Sequence, residues 1–276
     1  MKKAICHYSF HRQYKAEGWT PLRLAEEVAR LGVEGVDFHA GLLGSSEGAT
    51  EQIRSAIEQT QRTLSGLSLS NNFNQADPDE LRKQIDTVKQ WLAVGAELGA
   101  PVMRIFGGHL RNRYDPQARR EARRRVLDAL GQVVEDAEKY GVVLALENHG
   151  GLPCTGEEQV EIIQAVDSEH LRATIDVGNY MSCGQEGHIG TQITAPFAAY
   201  VHFKDYHKVM DSGALWGWQT RPATVGQGDV DLYACLVALK AAGYDGFIAL
   251  EYEGTDDEGI GVPQSVAFMN EVMAGF

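Results

Sequence analysis

The chain repeats one cycle from end to end: a short apolar run, a few polar or glycine positions, then a longer segment with apolar residues at helical spacing. Eight of the short runs have the character of buried strands. They are 4–10 (AICHYSF), 33–39 (VEGVDFH), 67–73 (LSLSNNF), 102–108 (VMRIFGG), 142–149 (VVLALENH), 172–179 (RATIDVGN), 200–206 (YVHFKDY) and 247–253 (FIALEYE). Between them, helix start and stop signals are explicit. Thr20 and Pro21 precede Leu22, Ala25, Val28 and Ala29, which recur on one face, and Gly32 follows. Asp77–Pro78 with Gly99, and Asp115–Pro116 with Gly141, frame two longer segments in the same way. Strands alternating with helices predict an α/β fold with a parallel sheet, and eight such units predict a closed (β/α)8 barrel. No linker or composition shift divides the chain, so residues 1–276 are expected to form a single barrel domain. The longest irregular stretch, residues 207–228, follows the seventh strand and carries Trp216, Trp218 and Arg221, which makes it a candidate lid over substrate. Beyond it, Gly226 and Gly228 supply permissive backbone and Asp229 is the expected cap of the next helix.

Charge narrows the partners. Against 38 Asp and Glu stand 25 Lys and Arg, a net charge of -13, which opposes attraction to nucleic acid or to an anionic membrane surface. No run approaches the ~20 apolar residues of a membrane span. The apolar start is broken by His7, His11, Arg12 and Gln13, unlike a secretory leader. Cys6, Cys154, Cys183 and Cys235 show no CxxC pair, and reduced thiols in the cytoplasm are expected. A GxGxxG strand-turn-helix fingerprint is absent, so no nucleotide cofactor is expected, and there is no GxSxG elbow.

Polar residues recur where apolar strands end. In a parallel barrel those ends share one face, where the active sites of this architecture lie. Glu147 closes the apolar run Val143–Leu146 and is followed by Gly150 and Gly151, which let the chain turn away. Asp176, His202 and Glu251 occupy equivalent places on the sixth, seventh and eighth strands. A strand-end carboxylate by itself is equally well a helix cap or a surface ion pair, and a lone His202 equally well a core histidine. Together, three carboxylates and one imidazole suit a divalent ion, manganese first, with magnesium or cobalt as alternatives.

The order LALENHGG, TIDVGNY, VHFKD and IALEYEG resembles the xylose isomerase-like barrel superfamily, in its branch of sugar isomerases and epimerases with ketose 3-epimerases and inosose dehydratases. The resemblance spans essentially the whole chain. It implies that Glu147, Asp176, His202 and Glu251 ligate the metal and that Glu147 and Glu251 form the proton-transfer pair. The chemistry is coherent in itself: a proton beside a sugar carbonyl is weakly acidic, a chelated divalent ion stabilises the enediolate as a Lewis acid, and two carboxylates give access to both faces of the carbon. Where the ketose epimerases commonly have a substrate-binding histidine, this chain has Asn179, an amide that hydrogen-bonds but does not titrate near neutral pH.

Other candidates carry less. Lys204, two residues beyond His202, points to the same side of its strand and stands as a substrate-binding cation, or else pairs with Asp205. His109 is a candidate acid, base or substrate contact on the fourth loop, or plain polar surface. His7, His39 and His149 have weaker cases. The seven arginines from Arg111 to Arg125 are a solvated helix face, or an anion site.

These observations predict a metal-dependent isomerase or epimerase acting on a small sugar or sugar derivative, foremost an uncharged sugar, polyol or keto-glycoside. Dehydration or β-elimination on a keto-sugar, inosose or 3-keto-glycoside is the alternative. Endonuclease IV-type DNA repair and a non-catalytic sugar-binding barrel are more remote. A homo-oligomer is expected from the resemblance alone.

Overall fold

Apolar runs form strands and amphipathic segments form helices in alternation in the computed structural model, which describes all 276 residues. The barrel strands are β1 (Lys2–Cys6), β2 (Gly35–His39), β3 (Thr63–Ser68), β4 (Met103–Phe106), β5 (Leu144–Glu147), β6 (Leu171–Asp176), β7 (Ala198–Phe203) and β8 (Phe247–Leu250). Each pairs in parallel with its neighbours in sequence, and β1 pairs with β8 to close the barrel. Except in β2, the strands stop before the ends that the apolar pattern predicts, because the last residues leave the ladder to form the mouth. His7–Phe10 and Asn179–Cys183, for example, are 3-10 turns.

The capping signals hold. Thr20 Oγ1 accepts from the Arg23 amide at 3.2 Å, Asp77 Oδ1 from Asp79 at 2.8 Å and Asp115 Oδ1 from Gln117 at 2.9 Å. Gly99 and Gly141 end the helices Pro78–Leu98 and Pro116–Tyr140 in the left-handed conformation, with φ of 63° and 69°. No helix is long and apolar enough to cross a membrane.

Alternation along the strands sends one set of side chains outward and the other inward. Val36, Phe38, Ile105, Leu146, Ile175, Val201 and Ile248 belong to the main core between strands and helices. Inside the barrel, a separate small cluster of Ala4, Cys6, Val102, Ala145, Tyr200 and Ala249 plugs the lower part. The Tyr200 hydroxyl is 2.9 Å from Ser65 Oγ, so the one large residue of the plug has a polar partner. Above the plug the inward positions turn polar.

Two sequence expectations need correction after β7. The stretch that lacks a clear pattern contains an antiparallel hairpin, Asp205–Met210 with Trp218–Ala223, in which His207 faces Arg221. Its residues are largely half-exposed, and Met210 is 81% exposed, so burial imposes no strong alternation on it. The helix Leu232–Ala241 is capped by Asp231, whose Oδ1 accepts from the Ala234 amide at 2.9 Å. Asp229 accepts instead from the Lys208 amide at 2.7 Å and ties down the hairpin.

Asp205 organises this region. It is buried and does not pair with Lys204: its Oδ2 accepts from Gly226 and Gly228, each at 2.9 Å, and its Oδ1 from Tyr206 at 2.9 Å and Val230 at 3.2 Å. A Cβ on Gly228 would stand 2.1 Å from Asp205 Oδ1, so glycine is required there. Replacing one acceptor oxygen with an NH2 group turns it against amides that already donate. Asp205→Asn is therefore expected to destabilise the protein by about 1–3 kcal/mol, read from the urea midpoint at unchanged slope; a change within a few tenths would contradict this role.

Candidate metal centre and active site

At the mouth, Glu147 is the last residue of β5, Asp176 the last of β6, His202 the penultimate residue of β7, and Glu251 follows β8 directly. All four are buried. Their ligand atoms lie within 4.8 Å of one another, so the structure brings together the four residues that the sequence singles out.

The turns beyond the strands hold these side chains. Asp176 Oδ1 accepts from the amides of Gly178 and Asn179, both at 2.9 Å, which leaves Oδ2 for the cluster. Asn148 behaves as a backbone strap between β5 and β6: its Nδ2 donates to the Asp176 carbonyl and its Oδ1 accepts from the Asp176 amide, each at 2.9 Å. The chain then turns at Gly150 and Gly151, with φ of 70° and 103°. A Cβ at Gly150 would meet the His109 ring at 2.5 Å. The His149 ring stacks on Phe106 with centroids 4.1 Å apart.

Glu147 Oε2, Asp176 Oδ2, Glu251 Oε2 and both ring nitrogens of His202 lack a partner in hydrogen-bond geometry. Buried polar atoms are rarely left so. Ion-pair contacts do reach them: Arg104 Nε lies 3.1 Å from Glu147 Oε2, and Lys204 Nζ lies 2.5 Å from Glu251 Oε2 and 3.2 Å from Asp176 Oδ2. His202 Nδ1 is 3.7 Å from both Glu147 Oε2 and Glu251 Oε2. Converging oxygens that accept no hydrogen bond, with one imidazole among them, fit a divalent cation.

Burial raises Glu147 to about 7 and Asp176 to about 6, against the pull of Arg104 on the first and Lys204 on the second. Burial acts the same way on Glu251, but the charges of Lys204 and His202 outweigh it and hold this carboxyl well below its ordinary value. His202 is raised in turn, because Glu251 and Glu147 overcome its desolvation.

Asn179 donates from Nδ2 to Glu147 Oε1 at 3.1 Å, so it touches the cluster directly. Lys204 is buried among Asp176, Glu251 and Glu253. His109 is exposed at the edge of a cavity of about 180 Å³ that Arg104, Lys204 and Glu251 also line. Arg221 lies exposed on the hairpin and lines neither of the two cavities at the mouth.

Sequence reasoning passed over Arg104 and gave His39 only a weak case. Arg104, a charge inside the apolar run VMRIF, is buried with Nη1 donating to the Leu69 carbonyl at 2.6 Å and its guanidinium 4.3 Å from the Phe106 ring centroid. That misplaced charge was the available signal. His39 also lines the smaller cavity; burial depresses its imidazole to about 3, and its Nε2 is 2.9 Å from Ser70 Oγ. The expectation of four reduced thiols needs correction: Cys154 and Cys183, separated by 29 positions, form a disulfide with Cα atoms 6.0 Å apart, while Cys6 and Cys235 are free, because the fold brings together two cysteines that no spacing motif links.

The family model for the xylose isomerase-like TIM barrel matches residues 25–272. The chain is 29% identical over 132 residues to the uncharacterized protein MJ1311 of Methanocaldococcus jannaschii, covering 46% of this chain and 43% of that one. It is 27% identical over 139 residues to the inosose isomerase of Bacillus subtilis, covering 48% and 47%. These alignments span less than half the length of either curated relative. Among solved structures, 3-keto-D-glucoside 4-epimerase YcjR from E. coli superposes with a TM-score of 0.77 at 17% identity, over 98% of this chain and 99% of that one. The IOLI protein with a bound zinc atom gives 0.76 at 18% identity, over 100% and 97%. At such identities the structural likeness is one of fold. The family match carries the assignment over most of the sequence: the chain belongs to the xylose isomerase-like TIM barrel family.

Proposed function

We propose that this protein is a divalent-metal-dependent isomerase or epimerase that moves a proton at the carbon beside the carbonyl of a sugar or sugar derivative. The observation that carries the reading is the convergence of Glu147, Asp176, His202 and Glu251, whose ligand atoms lie within 4.8 Å of one another without hydrogen-bond partners. An inosose isomerase among the relatives and a keto-glucoside epimerase among the structural neighbours agree with a keto-sugar substrate.

These four residues would hold the ion, which would supply Lewis-acid chemistry at the substrate carbonyl. The rest falls to the chain. Glu147 and Glu251 stand on different strands on either side of His202 and serve as the proton-transfer pair from opposite faces of the reacting carbon. Asn179 fixes the orientation of Glu147 through its Oε1. Lys204 supplies a fixed positive charge beside Glu251 where negative charge develops on the substrate.

Deuterium uptake into ketoses, inososes and 3-keto-glycosides, read by mass spectrometry in deuterated water with Mn²⁺ or Mg²⁺ present, tests the reading. Exchange with mass otherwise conserved is expected; loss of water or an aglycone would redirect the assignment to a lyase. Glu147→Gln and Glu251→Gln are each expected to slow exchange by roughly 10²–10⁴-fold, while Asp176→Asn weakens metal binding by more than about tenfold. Full activity in either glutamine variant would remove the two-carboxylate mechanism.

Metal binding itself is expected to depend on pH. With Glu147 at about 7 and Asp176 at about 6 in the metal-free protein, both carboxyls are ionised at pH 8 and take up protons as the pH falls to 6. The cation must then displace those protons. Affinity measured by calorimetry should drop over this range with proton release on binding, and a flat profile would contradict the protonation assigned to the site.

A further inference from the structure

The arginine-rich segment that the proposed chemistry leaves unused separates into two kinds of residue. Arg119 contacts Glu158, Arg124 lies 3.3 Å from Asp128, and Arg125 donates to Asn74 Oδ1 at 2.8 Å, as a solvated helix face should. Arg113 instead turns into a second cavity of about 300 Å³ at the barrel mouth. Its Nη1 donates to Cys183 Sγ at 2.9 Å and touches Cys154 Sγ. Sulfur is a weak acceptor, and a guanidinium carries five donors, so most of its bonding capacity is unspent.

No Asp or Glu lines this cavity, and Arg113 is the only permanently charged group on its walls, in a chain whose net charge is -13. The neutral walls include Asn148, Asn179, Ser182 and Tyr206, which add hydrogen-bonding groups. The cavity also adjoins the metal centre. Asn179, on its wall, donates to Glu147, and His149 lines both this cavity and the smaller one over Lys204 and Glu251.

We infer that the substrate carries an anionic group, a carboxylate or a phosphate, which Arg113 receives in the second cavity while the carbonyl end stands over the four-residue cluster. This rests on the proposed proton-transfer chemistry and adds to it the class of substrate. A planar guanidinium with free donors gains most from a carboxylate or phosphate that accepts two of them at once, whereas a neutral sugar leaves the charge uncompensated.

Equilibrium binding tests the inference directly. D-fructose, D-fructuronate and D-fructose 6-phosphate are titrated by calorimetry into the Mg²⁺-loaded wild type, Arg113→Gln, Arg113→Lys and the exposed control Arg120→Gln, all in one redox state. At least one anionic ketose should bind the wild type about tenfold or more tighter than fructose, and which of the two does so separates carboxylate from phosphate. Arg113→Gln should erase that advantage without changing fructose binding, Arg113→Lys should keep part of it, and Arg120→Gln all of it. Equal binding of neutral and anionic ketoses, no binding of either anion, or an advantage that persists in Arg113→Gln overturns the subsite. Deuterium exchange is scored separately. An Arg113-dependent advantage without exchange on any ketose sinks the chemistry but keeps the subsite, and exchange on fructose without an anion advantage does the reverse.

Discussion

Three carboxylates confined with an imidazole within 4.8 Å of one another repel each other as soon as they are ionised, and the surroundings of the site are arranged against that repulsion. Arg104 stands against Glu147 from β4, and Lys204 stands against Asp176 and Glu251 from the end of β7. Both cations are buried, where an unpaired charge is expensive, so cations and carboxylates hold one another in place. Two permanent cations face three acids within the cluster, and Glu253 draws on Lys204 as well, at 3.3 Å. Glu147 Oε2, Asp176 Oδ2 and Glu251 Oε2 converge without accepting a hydrogen bond, and a divalent ion would meet them there.

The barrel makes such a cluster possible by separating what fills space from what carries charge. Alanines from β1, β5 and β8 and a single tyrosine from β7 plug the lower interior, so the upper interior need not be apolar to be packed. Support for the strand ends comes from outside as well. Gln159, on the helix Gly156–Val166, donates from Nε2 to the carbonyls of Leu146 and Thr174 at 2.7 and 2.8 Å, one from β5 and one from β6. Asn148 binds the same two strands from within the mouth. Glu147 and Asp176 thus occupy fixed points, and a site on strand ends is held more tightly than one on free loops.

The four cluster residues were legible in the sequence because each is a polar residue ending an apolar run, and the barrel converts that one-dimensional regularity into a shared location. Helix boundaries were legible for a similar reason: Thr20, Asp77 and Asp115 act on amides two or three residues away, so the information is local. What stayed hidden depends on distant partners. GDVDL offers two aspartates as caps, and only the packing of Lys208 against Asp229 decides for Asp231. Lys204 followed by Asp205 suggests an ion pair, yet alternation sends Lys204 into the mouth while Asp205 gathers four backbone amides on the other side. Arg104 announces a buried charge without naming Glu147, and Cys154 meets Cys183 only because the loops after β5 and β6 lie side by side.

Asn179 shows what an amide does at the position where the chain departs from the histidine of the ketose epimerases it resembles. Its backbone amide is held by Asp176 Oδ1, its Nδ2 donates to Glu147, and its Oδ1 lies 3.5 Å from Lys204 Nζ and 3.4 Å from the Tyr206 hydroxyl. Both ends of the amide are used, one as donor and one as acceptor, and that division is fixed by its chemistry. An imidazole would have to choose a tautomer to do the same and, when protonated, would place another positive charge beside Lys204. A neutral, two-ended side chain at the wall between the four-residue cluster and the second cavity therefore orients Glu147 without changing state as protons move around it.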